Sequence, residues 1–407
     1  MSEICESGRC TLCKLCINVC PKQCIRLDER PDGDTVACKD DDICIECGLC
    51  EKVCPSLNVV DCNYPKKVYA AWTSDSEIHK VSASGGIAAQ MYKETLEKGW
   101  YIVGCEWNED FEAVYKITSD IEDIAAFQSS KYVYSNPSDI YLKVRDIVKE
   151  GKSVLFIGLP CHVAAMSSYA TRFKFRDKIL LVDLACHGTP PAKYFKQHID
   201  SVKKQLERNV TGCFFRDPKF GTDKYFFTLY DGDNLIYKRR VNEDLYCFGY
   251  HKALIYRECC YECRYAKRER CSDLTISDYH GLGTLTLYTG NRKYVSCILV
   301  NTEMGETFLK ALNNLIKYER PIEEPLRIER VFNQPYQKKP EVDLFKKEFS
   351  MIGDYGICAR KIFYSLSLKA RNENRNISVI LRNFMEFILP NRIKFVIKKI
   401  VKNNIIN

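Results

Sequence analysis

Two stretches near the N-terminus, CTLCKLCINVCP at residues 10–21 and CIECGLCEKVCP at residues 44–55, decide the fold of this part of the chain. In each stretch two residues separate the first three cysteines, three residues separate the third from the fourth, and a proline follows. Thiolates at this spacing hold a 4Fe–4S cube, whereas one CxxC pair alone would leave a zinc site or a disulfide open. The two intact runs therefore predict two iron–sulfur clusters.

The fourth cysteine of each run lies too far along the chain to close the same cube, so it is expected to bind the other cluster. The predicted ligand sets are Cys10, Cys13, Cys16 and Cys54 for one cluster, and Cys44, Cys47, Cys50 and Cys20 for the other. Between the runs, the Pro-Asp-Gly-Asp sequence of residues 31–34 predicts a turn between two short strands. Residues 1–64 are thus predicted to form an α+β dicluster ferredoxin module, and its clusters move single electrons.

The composition limits the cellular compartments in which this protein is expected. The 407 residues include 23 cysteines and no run of apolar residues long enough to span a bilayer, and the N-terminus lacks the apolar segment of a signal peptide. We therefore expect a cytoplasmic protein whose cysteines bind metals and form no disulfides. The cysteines expected instead to pack as small apolar residues are Cys5, Cys24, Cys38, Cys62, Cys105, Cys213, Cys247, Cys297 and Cys358.

From residue 67 onward the pattern changes to apolar strands that alternate with helices. The predicted strands are 68–72, 101–105, 153–157 and 179–184, and the predicted helices include 87–98 and 192–206. This alternation predicts an α/β domain over residues 65–350 with a largely parallel sheet. Cys161 and Cys186 each follow a predicted strand, where open α/β sheets bind their ligands.

A third metal site is suggested by Cys260 and Cys263. This CxxC pair alone fits zinc, a redox dithiol or half of a cluster site. Cys161 and Cys186 would complete a set of four thiolates drawn from three loops. Cys259 and the more distant Cys271 compete for the fourth place.

Several stretches of the main domain resemble the flavoprotein β subunit of coenzyme F420-reducing hydrogenase and its bacterial relatives. They are SASGG at 82–86, SKYV at 130–133, GLPC at 158–161, CHGTP at 186–190, and Cys260-x2-Cys263 followed by SDLTISD at 272–278. The resemblance runs in order over roughly residues 67–300. It implies an oxidoreductase that binds FAD, exchanges electrons with coenzyme F420, and holds a third 4Fe–4S cluster on Cys161, Cys186, Cys260 and Cys263.

The candidate site for the flavin is the segment that contains Ser82, Ser84, Gly85 and Gly86. The serines could cap the following helix, the glycines allow a close backbone approach, and the helix N-terminus offers N–H groups to phosphates. Lys131 is expected to pair with a phosphate or with the flavin ring. The alternatives are an ordinary helix start and a solvated lysine. The sequence identifies no catalytic residue, although His162 and His187 flank two proposed ligands and could transfer protons or hydrogen-bond to the ligands.

These features predict an iron–sulfur flavoprotein oxidoreductase that moves electrons between ferredoxin-type clusters and a hydride carrier, coenzyme F420 or a related acceptor. A flavin is expected because it exchanges both single electrons and hydride. The alternative is a non-catalytic electron-transfer subunit of a larger redox complex, or of a complex associated with polysaccharide biosynthesis. The expected partner is a redox protein or a small electron carrier.

The basic residues are concentrated at the C-terminus. Residues 359–407 carry 11 of the 61 Lys and Arg but 2 of the 53 Asp and Glu, so the rest of the chain is almost neutral. A nucleic-acid partner is therefore not expected. Apolar residues at helical spacing from Ile393 to Val401, interleaved with lysines, predict a basic amphipathic helix. It would contact an anionic membrane surface or a partner, or dock on its own domain.

Overall fold

The computed structural model describes residues 2–374. At its N-terminal end, three short strands form an antiparallel sheet in the order β1-β3-β2, namely β1 (Ser2–Glu3), β2 (Ile25–Glu29) and β3 (Thr35–Lys39). The turn between β2 and β3 lies at residues 31–34, which confirms that prediction. Two one-turn helices, α1 (Leu15–Val19) and α2 (Leu49–Val53), each begin one residue before the third cysteine of a run.

The rest of the described chain alternates strands and helices. The strands are β4 (Lys67–Thr73), β5 (Tyr101–Trp107), β6 (Ala113–Thr118), β7 (Ser135–Asn136), β8 (Val154–Gly158), β9 (Ile179–Leu184), β10 (Gly212–Phe214), β11 (Phe227–Asp231), β12 (Asn234–Arg239), β13 (Leu274–Asp278), β14 (Ser296–Val300) and β15 (Leu315–Arg320). The helices are α3 (Ser76–Val81), α4 (Ile87–Glu97), α5 (Ile124–Phe127), α6 (Ile140–Lys149), α7 (Pro160–Arg172), α8 (Ala192–Leu206), α9 (Leu245–His251), α10 (Glu258–Tyr261), α11 (Glu303–Lys310), α12 (Glu323–Ile328), α13 (Pro340–Ile352) and α14 (Tyr355–Asn374).

Nine strands form one large sheet in the order β15-β4-β14-β13-β9-β8-β5-β6-β7. The centre, β13-β9-β8-β5, is parallel, but β5 pairs antiparallel with β6, and β4, β14 and β15 add antiparallel strands at the other side. The prediction of a largely parallel sheet is therefore corrected to a mixed sheet. The reason is local, because β5 runs into β6, and β13 into β14, without the crossover helix that a parallel pair needs.

The central strands are buried on both faces. Their successive side chains point to opposite faces and pack into two apolar clusters, one on each side of the sheet. Val154 and Phe156 of β8 pack into the apolar cluster that contains α6 and α7 residues. Leu155 and Ile157 pack into the cluster on the other face, which contains α4 residues. Such continuous apolar strands are typical of the parallel centre of an α/β sheet. The carboxyl ends of β8, β9 and β13 then meet at one edge.

A third, aromatic core lies between the small antiparallel sheet β10-β11-β12 and helices α8, α9, α13 and α14. Tyr355 and Phe363 of α14 are fully buried in it. The basic tail predicted from residue 359 therefore begins inside this core, and α14 runs through the predicted boundary. The helix predicted around residues 391–402 lies outside the described residues and stays a prediction. In the part of the chain that the structure describes, no helix is both long and apolar enough to cross a bilayer.

The N-terminal module is attached to the main domain through a buried arginine, Arg257. Its Nε donates to the Asp34 carboxylate over 2.7 Å, and its Nη atoms donate to the backbone oxygens of Cys10, Thr11 and Thr35 over 2.8–3.0 Å. Burial opposes ionisation of Asp34, but Arg257 outweighs it and keeps the pKa of this carboxyl below its usual value. The pair thus joins the β2–β3 hairpin to the loop before α10 without an unpaired charge.

Arg257→Leu is expected to lower the free energy of unfolding by about 3–5 kcal/mol, because Asp34 stays buried without its counter-ion. Urea unfolding of the anaerobic, cluster-replete protein measures the loss. The matched control is Arg268→Leu, which removes a half-exposed pair with Glu323 and should cost no more than about 1 kcal/mol. Equal losses in the two variants would contradict the role given to Arg257.

Candidate functional site: three thiol cavities and a large cavity

The structure brings the first predicted ligand set together around one cavity of about 20 Å³, here called the inner ferredoxin cavity. The lining includes Cys10, Cys13, Cys16 and Cys54, and all four are buried. Cys54 comes from the second run, as the exchange of fourth cysteines predicts. The inner ferredoxin cavity therefore collects four thiols that are up to 44 residues apart in the sequence.

The second set surrounds a wider cavity of about 290 Å³, the outer ferredoxin cavity, lined by Cys20, Cys44, Cys47 and Cys50. Cys47 is exposed, whereas none of the four thiols of the inner ferredoxin cavity is. The two short helices explain the exchange. Cys16 lies in the first turn of α1 and Cys20 caps its C-terminal end, and Cys50 and Cys54 hold the same places in α2. Each helix thus contributes one thiol to each cavity.

The third set meets at the carboxyl ends of β8 and β9, around a cavity of about 40 Å³ that we call the central thiol cavity. Cys161 lies in the first turn of α7 and Cys186 in the loop after β9, and β8 and β9 are parallel neighbours. Cys260 lies in α10, and Cys263 follows two residues after that helix. All four line the cavity, so the fold brings together the three loops that the sequence suggested.

Of the two competing cysteines, Cys259 also lines the central thiol cavity, but Cys271 does not. Cys271 forms a disulfide with Cys62. This corrects two expectations, that the chain contains no disulfide and that Cys62 packs as a small apolar residue. The sequence carried no signal for the pair, because 209 residues separate its members.

The charge state of these thiols depends on what they bind. Burial raises the pKa of Cys161 and of Cys186, and it raises that of Cys263 to about 11. Buried thiols of this kind become thiolates when a metal supplies the compensating positive charge. Within residues 2–374, no three His, Cys, Asp or Glu side chains converge closely enough for a single metal ion. The thiols of each predicted set line one shared cavity.

Each thiol cavity has one further cysteine beyond its predicted set of four. Cys5 lines the inner ferredoxin cavity, Cys24 the outer one and Cys259 the central one. The Sγ of Cys24 lies 3.4 Å from the Sγ of Cys20, and a hydrogen bond from Cys259 lowers the pKa of Cys260 to about 7. Hydrogen bonds to ligand sulfurs shift cluster potentials. The sequence already offers Cys259 as a competing ligand, whereas it predicts only that Cys5 and Cys24 pack as small apolar residues.

A large cavity of about 590 Å³ lies beyond the carboxyl ends of β8, β9 and β13. Its wall includes Leu159 and residues 186–189, which also line the central thiol cavity. Thr11 in turn lines both the central thiol cavity and the inner ferredoxin cavity. The four cavities therefore form a series: outer ferredoxin, inner ferredoxin, central thiol, large.

The predicted flavin segment lines the large cavity through Ser82, Ser84 and Gly86. The serines do not cap α4, as had been expected, because their hydroxyls donate to the carbonyls of Ile78 and Val295 over 2.7 and 3.1 Å. Gly86 is the N-cap, with φ +74°, and the first turn of α4 borders the cavity. The backbone N–H groups of that turn are thus left to an anionic ligand.

Gly85 does not line the large cavity but fixes the segment behind it. A Cβ atom at this position would lie 2.5 Å from the carbonyl oxygen of Ala71. The Gly85 N–H donates to Ser296 Oγ over 2.9 Å. The glycine therefore lets the loop lie directly on β4 and β14, which positions the start of α4.

Lys131 also lines the large cavity, and its ammonium donates to the carbonyls of Ala126 and Gln128, both over 3.1 Å. Burial lowers its pKa. The side chain is therefore partly exposed and bonded to two backbone carbonyls. Its two backbone bonds hold residues 126–131 at the cavity wall and leave a third donor of the ammonium group for a ligand.

A polar group that sequence reasoning missed lies on another wall of the large cavity. Arg216 is buried, donates to Asp278 over 2.8 Å and to the Thr222 carbonyl over 3.0 Å, and stacks on Tyr225 with its guanidinium carbon 4.5 Å from the ring centre. Burial works against the charge of Arg216, but Asp278 more than compensates and raises the pKa of the guanidinium. The wall therefore carries a permanent cation beside a carboxylate.

The two histidines singled out from the sequence both line the central thiol cavity, and His187 also lines the large cavity. His162 is buried, and burial lowers its pKa to about 3, so it is neutral. Its Nδ1 lies 3.2 Å from the Tyr115 hydroxyl. His187 lies at the wall shared by the central thiol cavity and the large cavity, 3.8 Å from Glu329. His162 thus lies between Tyr115 and the central thiol cavity, whereas His187 borders the large cavity as well.

Models of known protein families match the N-terminal module and the main domain separately. Family models of the coenzyme F420 hydrogenase/dehydrogenase β subunit match residues 68–140 (the N-terminal part) and residues 151–324 (the C-terminal part). A 4Fe–4S dicluster domain model matches residues 9–58. Together the two β-subunit models span more than half of the chain.

Curated relatives include oxidoreductases that use coenzyme F420. The coenzyme F420-dependent sulfite reductase of Methanocaldococcus jannaschii is 30% identical over 176 residues, which are 40% of this chain and 25% of that protein. A subunit of the F420H2 dehydrogenase of Methanosarcina mazei is 22% identical over 45% of this chain and 54% of its own length. The chain thus spans about a quarter of the first relative and about half of the second. An uncharacterized protein of M. jannaschii is 23% identical over 79% of this chain and 92% of its own length.

Among solved structures, a chain of the F420-reducing NiFe hydrogenase complex from Methanosarcina barkeri aligns with a TM-score of 0.44 and 18% identity, over 79% of this chain and 97% of that one. The family matches support an iron–sulfur oxidoreductase with a role in electron transfer. The chain belongs to the family of coenzyme F420 hydrogenase/dehydrogenase β subunits and carries a 4Fe–4S dicluster domain at its N-terminus.

Proposed function

We propose that this protein is an iron–sulfur flavoprotein oxidoreductase that transfers electrons between a redox partner and a hydride carrier, coenzyme F420 or a related acceptor. The observation that carries the proposal is the wall shared by the central thiol cavity and the large cavity, formed by Leu159 and residues 186–189. Because the two spaces touch there, a cluster bound by Cys186 would lie beside any ligand of the large cavity. Short separations of this kind are what electron transfer requires.

The proposed electron route follows the order of the cavities. The outer ferredoxin cavity has the exposed Cys47 and is the natural contact for a redox partner, whereas the inner ferredoxin cavity is enclosed. Electrons would pass singly from the outer to the inner ferredoxin cavity and on to the central thiol cavity. The reverse direction uses the same path. The proposed ligands are the twelve cysteines predicted from the sequence, with Cys5, Cys24 and Cys259 as neighbours of the ligand sulfurs.

The residues around the large cavity suit FAD. A volume of about 590 Å³ lies within the range of cofactor sites, and the first turn of α4, Lys131 and Arg216 can all face anionic groups. When bound, a flavin supplies the exchange between single electrons and hydride. The protein contributes the backbone N–H groups of α4 for phosphates and a half-open pocket. Tyr132, Tyr250 and Tyr256 add aromatic walls to it.

The cofactor content is tested by iron analysis of anaerobic preparations. The wild-type chain should hold about twelve iron atoms, as expected for three cubes. Cys263→Ala should lose about four of them, because it opens the central thiol cavity and leaves the two ferredoxin sites intact. The control is Cys213→Ala, which removes a buried thiol of the aromatic core and should keep the full content. Wild-type protein with about eight irons, unchanged by Cys263→Ala, would refute the third site.

The reaction is tested with reduced coenzyme F420 and an oxidised viologen dye under anaerobic conditions. The wild-type protein should contain FAD and reduce the dye. Cys263→Ala should still show bleaching of the flavin by reduced F420 but should not pass the electrons on to the dye, because the link to the ferredoxin clusters is missing. A preparation without flavin and without F420-dependent dye reduction would favour the non-catalytic electron-transfer role instead.

A further inference from the structure

The disulfide between Cys62 and Cys271 joins two segments that meet beside the proposed third cluster. Cys62 lies between the N-terminal module and β4, and Cys271 lies between Cys263 and β13. Cys271 is buried in a small apolar cluster with Ala164 and Tyr265, and the cysteines packed against this cluster are Cys62, Cys161 and Cys263. The disulfide therefore lies next to two proposed ligands of the central thiol cavity.

The surrounding backbone keeps the two sulfurs together whether or not they are bonded. The neighbouring residues Asn63 and Arg270 form a β-bridge in which each N–H donates to the other's carbonyl over 2.9 Å. Arg270 is itself held by an ion pair with Asp183 and by a bond of 2.8 Å to the Tyr265 carbonyl. The disulfide constrains the unfolded chain, because it closes a loop of 209 residues, whereas in the folded state the β-bridge already holds the two segments together. Because this β-bridge holds the backbone in place, the disulfide bond can break and re-form without moving the chain.

The two sulfurs differ in their access to solvent. Cys271 is 8% exposed, whereas Cys62 is partly exposed. Both residues pack against this cluster, but Cys271 is the more enclosed of the two and Cys62 is the one that a molecule from solution can approach. Thiol–disulfide exchange requires such an accessible sulfur together with a second one that resolves the mixed disulfide.

We propose that Cys62 and Cys271 form a redox-active pair, a second outlet for electrons besides the large cavity, and that its substrates are external disulfides. This inference rests on the proposed function, which supplies the electrons through the central cluster. Two electrons and two protons convert the Cys62–Cys271 disulfide into two thiols. The Cys62 thiolate then attacks an external disulfide and releases one thiol. Cys271 displaces the second thiol from the mixed disulfide, which restores the internal disulfide and leaves the external one reduced.

The test is differential alkylation and mass spectrometry of the full-length, cluster-replete protein under anaerobic conditions. After oxidised glutathione has been added and removed, Cys62 and Cys271 should resist alkylation. Reduced methyl viologen should then make both reactive, and fresh oxidised glutathione should close the pair again and yield reduced glutathione. In Cys263→Ala the pair should stay closed with viologen yet open with dithiothreitol, which shows that the disulfide is present and accessible.

Five results would overturn the proposal. Thiols at Cys62 and Cys271 that remain free after oxidised glutathione would show that no pair forms. Equal opening by viologen in the wild type and in Cys263→Ala would remove the central cluster from the route. Loss of about four irons in Cys62→Ser would make this residue a cluster ligand. A wild-type protein that lacks the third cluster would refute the proposed function as well, whereas a pair that stays closed beside an intact cluster refutes this proposal alone.

Discussion

The buried guanidinium of Arg257 is the interaction on which the arrangement of the proposed sites depends. It bonds to the backbone of Cys10 in the inner ferredoxin cavity and lies three residues before Cys260 in the central thiol cavity. Asp34 neutralises it from the β2–β3 hairpin. A cation in this position also favours negative charge on the thiolates at both sides, because low-dielectric surroundings strengthen the attraction. One residue thus fixes the separation of two sites and part of their electrostatics.

Local spacing explains why much of this molecule could be predicted from its sequence. The predicted ligand sets of the ferredoxin module follow from the spacing of the cysteines within two short runs. Strands such as β8 and β9 are continuous apolar segments. The cysteines that follow them could be placed near each other by one rule, namely that the carboxyl ends of parallel strands lie at the same edge of the sheet. The resemblance to known β subunits joined Cys260 and Cys263 to this set. These inferences rest on residues close together in sequence or on one rule of topology.

The features that were missed depend on contacts between distant segments. The Cys62–Cys271 disulfide, the Arg216–Asp278 pair and the placement of α14 in the aromatic core each join parts of the chain whose sequences carry no sign of the other. The antiparallel strands of the sheet were missed because a strand's composition does not reveal its direction. The serine hydroxyls of the 82–86 segment bond to carbonyls of neighbouring elements, so helix capping could not be inferred from the serines themselves.

The exposure of Cys47 has a consequence for how the protein withstands air. Oxygen meets the outer ferredoxin cavity before the inner one, since Cys47 is exposed whereas the four thiols of the inner ferredoxin cavity are buried. Oxidative damage to the proposed clusters should accordingly begin in the outer ferredoxin cavity and reach the inner one later. Brief aeration would then interrupt the proposed electron route at its outer end and leave the thiols of the inner ferredoxin cavity intact.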